Sequence, residues 1–175
     1  MSRKSTVLGV WGLLSVLASS AQAQTAAARP FDEFRSQVPQ AQASASLEIR
    51  VRWTLDRPVA DPLEAAHRFD VLSVQRMNES VPRDRQPMVN SQSLVVVSET
   101  TAGQPLDWRI IQDPRVVRSE SETAGVLAGQ TLYYQQTELL LTIPALDNVS
   151  RLHVFRITPQ DGIAVMTEFA VVDLP

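Results

Sequence analysis

Leu47-Glu48-Ile49-Arg50-Val51-Arg52-Trp53-Thr54-Leu55-Asp56 (LEIRVRWTLD, residues 47–56) alternates strictly between apolar and polar side chains. Leu47, Ile49, Val51, Trp53 and Leu55 fall on one parity, and Glu48, Arg50, Arg52, Thr54 and Asp56 on the other. Successive side chains of an extended chain point to opposite faces, so the segment reads as a strand with one apolar and one charged face. Arg57-Pro58 ends it, since proline brings no N–H to a strand ladder.

Outward from this strand, short apolar runs recur between turn signals. They are 68–75 (RFDVLSVQ), 93–98 (SLVVVS), 107–112 (DWRIIQ), 115–119 (RVVRS), 130–135 (QTLYYQ), 138–143 (ELLLTI), 150–158 (SRLHVFRIT) and 164–173 (AVMTEFAVVD). Gly103, the Gly125/Gly129 bend, Asp147-Asn148 and Asp161-Gly162 separate them, and the Asp-Gly pair is a hairpin signal. About nine strands, with no helical pattern longer than two turns between them, point to an all-β fold rather than alternating βαβ units. The expected architecture is an antiparallel β-sandwich of the immunoglobulin-like or fibronectin-III-like kind, each sheet burying one face. The likeness is to architecture alone, because the chain has no cysteine and so lacks the Cys…Trp…Cys pattern of antibody domains.

Two connections depart from the short-loop pattern. Residues 58–66 have room for a turn of helix in DPLEAA (61–66), and 76–92 is a long polar loop with Pro82 and Pro87. Loops of that length in compact domains tend to be functional or mobile.

The N-terminus reads as an address. Arg3 and Lys4 precede the apolar run Val7–Leu17, and Ala21-Gln22-Ala23 forms an A-x-A cleavage site. The run is shorter than the roughly 20 residues that span a bilayer. The expectation is a cleavable signal peptide over 1–23, cut after Ala23, which places the mature protein in the periplasm or outside the cell with no stable membrane insertion. Residues 24–45 then form a flexible lead-in and 46–175 the sandwich domain. Within the lead-in, 30–38 brings Phe31, Phe34 and Val38 to one helical face, with Pro30 at the start and Asp32 and Glu33 in the first turn. This short helix either packs on the domain or docks a partner.

Charge and composition narrow the function classes. Loss of Arg3 and Lys4 with the leader takes the formal charge from −3 to −5 and removes the only lysine. The remaining arginines are interspersed with acids, which offers no basic footprint for nucleic acid and no polybasic membrane patch. Without cysteine there is neither a lipid-modified thiol nor a disulfide, so core packing alone must hold the fold.

Chemistry-bearing patterns are sparse. His67 and His153 are the only histidines, too few without cysteine for a zinc site. Asp147-Asn148 and Asp161-Gly162 suit turns better than calcium. There is no G-x-S-x-G elbow and no glycine-rich phosphate loop. Glu120 and Glu122 form a carboxylate pair, but no aromatic flanks them closely as a sugar cleft would require, and a solvated bend accounts for them. The sequons at Asn78 and Asn148 read as chance matches. No catalytic, cofactor-binding or metal-ligating residue is assigned.

The candidates left are surfaces. Tyr133 and Tyr134 are adjacent, so one faces outward in a strand, and with Trp108, Phe31 and Phe34 they form the expected interaction set. In the competing reading Trp53, Trp108 and one tyrosine are core. The expected function is an exported, non-enzymatic β-sandwich module that binds another protein or an envelope component. Two alternatives stand beside it. One is an assembly subunit of a surface appendage or secretion system, pairing through 30–38 or the 93–98 edge. The other is a small-ligand or carbohydrate binder using loop 76–92 and Glu120.

Overall fold

The computed structural model describes residues 28–56, 66–85, 87–123 and 126–175, with backbone only at 119–123, 126–128 and 130. The expected signal peptide, the start of the lead-in and most of the 58–66 connection lie outside the described residues. In chain order the elements are β1 (Arg29–Pro30), α1 (Phe31–Gln37), β2 (Ser46–Leu55), β3 (His67–Met77), β4 (Ser93–Thr100), β5 (Pro105–Gln112), β6 (Val116–Thr123), β7 (Val126–Tyr133), β8 (Gln136–Pro144), β9 (Val149–Gln160) and β10 (Ile163–Asp173). The fold is therefore mostly β, as the strand pattern requires. Among the described residues no helix is long and apolar enough to cross a membrane.

The strands form a five-stranded sheet in the order β1-β10-β9-β4-β5, a three-stranded sheet β3-β2-β8, and a separate ribbon β6-β7. Every pairing is antiparallel. The two larger sheets face each other as a sandwich. Ile49, Val51 and Trp53 of β2 and Leu141 and Ile143 of β8 meet Leu94, Val96, Leu152, Val154 and Val172 of the larger sheet. On the outer side of β2, Arg50 and Arg52 each approach Glu138 of β8 at 3.1 Å. This open, charged face is why β2 alternates in sequence.

β4 does not alternate because neither of its faces is open. Leu94 and Val96 enter the central core, while Val95 and Val97 point into a second core on the opposite side. There Phe31, Phe34 and Val38 cover Val95, Val97, Trp108, Phe155, Ile157 and Met166. A strand buried on both faces reads as a continuous apolar run, as SLVVVS does.

The cover is α1. Seven residues are too few to hold a helix in water unaided, so packing must supply its stability. Phe31 and Phe34 are both 2 % exposed, and each such burial stabilises by roughly 1.5–3 kcal/mol. Trp108 meets Phe31 edge to face at 5.3 Å and donates its indole N–H to Val38 O at 2.7 Å. β1, α1 and residues 40–41 thus pack on the larger sheet.

The same segment seals the outer edge of β5. Ala41 N–H donates to Asp107 Oδ1 at 2.7 Å, and Arg109 donates to Ala41 O and Pro82 O. Asp84 N–H donates to Gln40 Oε1 at 2.8 Å. An exposed strand edge invites pairing with other chains, and here two loops occupy it. The expected 76–92 loop starts later, because β3 continues to Met77, and it is anchored at Pro82, Asp84 and Val89.

The turn between β9 and β10 follows its residues closely. Asp161 and Gly162 both have positive φ, 50° and 79°, as the Asp-Gly hairpin between β9 and β10 demands. In β10 the ladder skips Phe169, a bulge that sends this ring to stack on Trp53 at 5.5 Å. One expectation is corrected: Gly129 lies inside β7 opposite Glu120, not at a bend. Its surroundings are open, so a glycine is tolerated there within the strand.

Candidate functional site

The β6–β7 ribbon is the connection by which the chain crosses from one sheet to the other. β5 ends at Gln112 in the larger sheet; Asp113-Pro114-Arg115 leads into β6, and Tyr134-Gln135 leads from β7 into β8 of the smaller sheet. Its root is tied by backbone bonds. Tyr134 N–H donates to Arg115 O at 3.0 Å, Leu55 N–H to Gln135 O at 2.9 Å, and Asp113 N–H to Gln92 O at 2.8 Å.

Arg115 is the anchor. Its residue is fully buried, and its guanidinium carbon lies 3.8 Å from the Trp53 ring centroid. Nε and Nη2 donate to the two carboxylate oxygens of Asp113 at 3.0 and 2.7 Å, and the Arg115 backbone N–H adds a third bond at 3.0 Å. Arg156 approaches the same carboxylate at 3.4 Å. One buried acid thus serves two guanidinium groups, and Arg115 Nη1 has no hydrogen-bond partner among the described residues. Trp53 is fixed in turn by Phe69 stacked at 4.8 Å, by Phe169, and by its indole N–H donating to His67 Nδ1 at 3.1 Å. A desolvated cation over tryptophan contributes on the order of 2 kcal/mol.

Beyond this root, among the described residues, the ribbon's strands pair only with each other. Leu132, Tyr133 and Tyr134 are exposed at its base, Tyr134 to 57 %. Arg118 is exposed and donates to Gln92 Oε1 at 3.2 Å. An isolated two-stranded hairpin is at best marginally stable in water, and its outer N–H and C=O groups are free to pair with a further strand. The arrangement therefore offers backbone edges for strand addition and aromatic side chains for anchoring.

The structure divides the expected interaction set. Tyr133 and Tyr134 come together at the ribbon root. Phe31, Phe34 and Trp108 lie in the second core, Trp108 at 5 % exposure, packed on one another rather than presented outward. Trp53 is core as well. The Glu120 and Glu122 backbones lie within β6, opposite Gly129 and Leu127, and their side chains are outside the described residues. Arg115 carried no distinguishing signal: in the sequence it is one arginine among many, next to a proline. Among the described residues no group of three His, Asp or Glu is placed to hold a metal ion. Compared with protein-family models, with curated proteins and with solved structures, the chain matches none.

Proposed function

We propose that this protein is an exported, non-enzymatic binding module whose β6–β7 ribbon engages another protein or an envelope component. The observation that carries the proposal is a ribbon whose strands, among the described residues, pair only with each other yet are rooted by a buried arginine, so that a marginal element is held in a fixed place. Export rests on the n-region, apolar run and A-x-A site of residues 1–23. The non-enzymatic reading rests on the lack of any nucleophile, phosphate-loop or metal motif in the sequence.

On this reading the domain is an immunoglobulin-like variant. The order β10-β9-β4-β5 corresponds to the G-F-C-C′ sheet of variable-type domains, and β2 and β8 take the places of strands B and E. The departure is β3, which flanks β2 where strand A would lie but follows it in the chain. The ribbon falls where strand D comes in chain order.

The test compares the full chain with a variant whose residues 116–133 are replaced by a short Gly/Ser linker. Envelope extract is passed over both, and denaturant unfolding is measured in parallel. A partner held stoichiometrically by the full chain and lost by the shortened one, at an unchanged unfolding midpoint, is the expected result. Equal recovery by both would remove the ribbon from the function. The assembly-subunit reading remains as a second one, because a free ribbon edge also fits a second copy of this chain. Light scattering showing a dimer that the shortened variant loses would favour it.

A further inference from the structure

The two outer edges of the ribbon differ, and the backbone bond at its root shows how. β6 and β7 pair in a register that sets Val116 against Tyr133 and Thr123 against Val126. One step toward the root, Arg115 meets Tyr134, and Tyr134 N–H donates to Arg115 O at 3.0 Å. Bonded and non-bonded pairs alternate along an antiparallel ladder. Ser119 and Gln130 therefore bond to each other, whereas Glu120 and Gly129 turn their N–H and C=O groups outward. By the same alternation the outward groups on β6 include those of Arg118 and Glu122, and on β7 those of Leu127, Thr131 and Tyr133.

A charged residue on a strand edge discourages a further strand, and an uncharged regular edge invites one. On β6 the outward positions include Arg118, Glu120 and Glu122, and Arg118 is already engaged with Gln92 Oε1. β7 holds no charged residue and no proline from Val126 to Tyr133. Its pairing with β6 runs without a bulge, and Gly129 has open space where a Cβ would stand. Leu132, Tyr133 and Tyr134 are exposed beside it.

We propose that the outer edge of β7 takes β7 of a second copy of this chain, antiparallel, so that two ribbons join into one four-stranded sheet. The register follows from the backbone. Outward residues must meet outward residues, and the overlap is longest when the two-fold axis passes at Gln130. Gly129 then meets Thr131 of the second copy, and Leu127 meets its Tyr133. Ala128 comes opposite Leu132 and Val126 opposite Tyr134, the smaller residue against the larger each time. No charge meets another along the seam. A two-stranded ribbon is marginal in water, whereas three or more strands with an apolar face can stand. Among the described residues the ribbon pairs with no other strand of its own domain, so a second ribbon reaches β7 without opening either sandwich. The proposal rests on the ribbon as the binding element and names what occupies one of its edges.

The chain has no cysteine, so a single introduced thiol reports the register cleanly. Opposed non-bonded residues of an antiparallel pair have Cα atoms about 4.5 Å apart, within disulfide reach. Under mild oxidation Gln130→Cys should therefore give a covalent dimer. Ala128→Cys should not, because its two copies lie roughly 14 Å apart along the seam. Light scattering of the full chain over a concentration series should show a monomer–dimer equilibrium. Gly129→Pro removes an outward N–H from each copy and leaves the ribbon's own ladder intact, and should weaken dimerisation about tenfold or more. Arg118→Pro, the matching change on β6, should leave the dimer in place. A monomer at every concentration overturns the proposal. So does a dimer unaffected by Gly129→Pro, or one that cross-links as well through Ala128→Cys as through Gln130→Cys. The envelope-capture test is read separately: a monomer that loses its envelope partner with residues 116–133 leaves the ribbon reading standing, and a β7 dimer whose capture survives that deletion leaves only the dimer.

Discussion

The Arg115 guanidinium rests 3.8 Å from the ring of Trp53, joining the root of the free ribbon to the strand whose alternation announces the fold. The pair is sealed from water, and the charge is balanced by Asp113, itself only 5 % exposed. A buried charge is costly without its partner and near neutral with it, so the energetic weight of this site lies in its completeness.

Arg115→Ala should therefore destabilise the domain by about 3–5 kcal/mol, leaving Asp113 underpaired in a dry site. Asp113→Ala should cost a similar amount, since it leaves the buried Arg115 guanidinium without its carboxylate. Arg115→Lys keeps the charge but loses the planar fork and stacking, and should fall between Arg115→Ala and wild type. Urea unfolding midpoints measure all three. A loss below about 1 kcal/mol for Arg115→Ala would mean that the site is wetter than its burial implies.

Phe34→Ala removes a ring from the second core and should cost about 3–5 kcal/mol. Tyr134→Ala, at an exposed position, should stay within about 0.5 kcal/mol. The contrast separates the two halves of the expected interaction set. Comparable small losses at both positions would show that α1 is not docked in solution.

Glu138→Gln breaks both exposed pairs with Arg50 and Arg52. Such pairs are worth about 0.2–1 kcal/mol and are screened by salt. The loss should stay in that range at low ionic strength and shrink further at 1 M salt. A loss that persists in high salt would indicate that Glu138 supports packing instead.

Asp107 gives a pH dependence opposite in sign to that of most acids. Burial raises its carboxyl above the ordinary value of 3.8, against the opposing pull of Arg109 and the N–H groups of Ala41 and Trp108. The folded state then keeps the proton to higher pH than the unfolded chain. The stabilising contribution is complete below 3.8 and is lost as pH rises through the higher folded value. The unfolding free energy of wild type minus that of Asp107→Asn should fall as pH rises above the ordinary carboxyl value of 3.8. A difference that rises with pH would show that pairing with Arg109 outweighs burial.

The strands were legible because a sheet with one wet face writes its geometry into the sequence at period two, as β2 does. β4 was legible as a strand, but its two-sided burial could not be known until a second layer was seen. That layer is α1, whose Phe31 and Phe34 spacing gave the helix but not its destination. The extent of the ribbon is hidden in the sequence because Gly129 looks like a turn residue but is accommodated in an open strand. Arg115 and Asp113 were illegible: two residues apart, they look like surface charges, and only the Trp53 ring above them makes them interior. His153 reads only as a strand residue, because its two carboxylates, Glu99 and Glu168, come from strands more than fifty residues upstream and fifteen downstream.

Because the ribbon leaves from β5 and returns into β8, it is a handle fastened to both halves of the sandwich. A tug on it is delivered to the two sheets together, through the bonds at Arg115, Tyr134 and Gln135, and so does not slide one sheet over the other. The Arg115–Asp113 pair stands at the point where such a load would enter the sandwich.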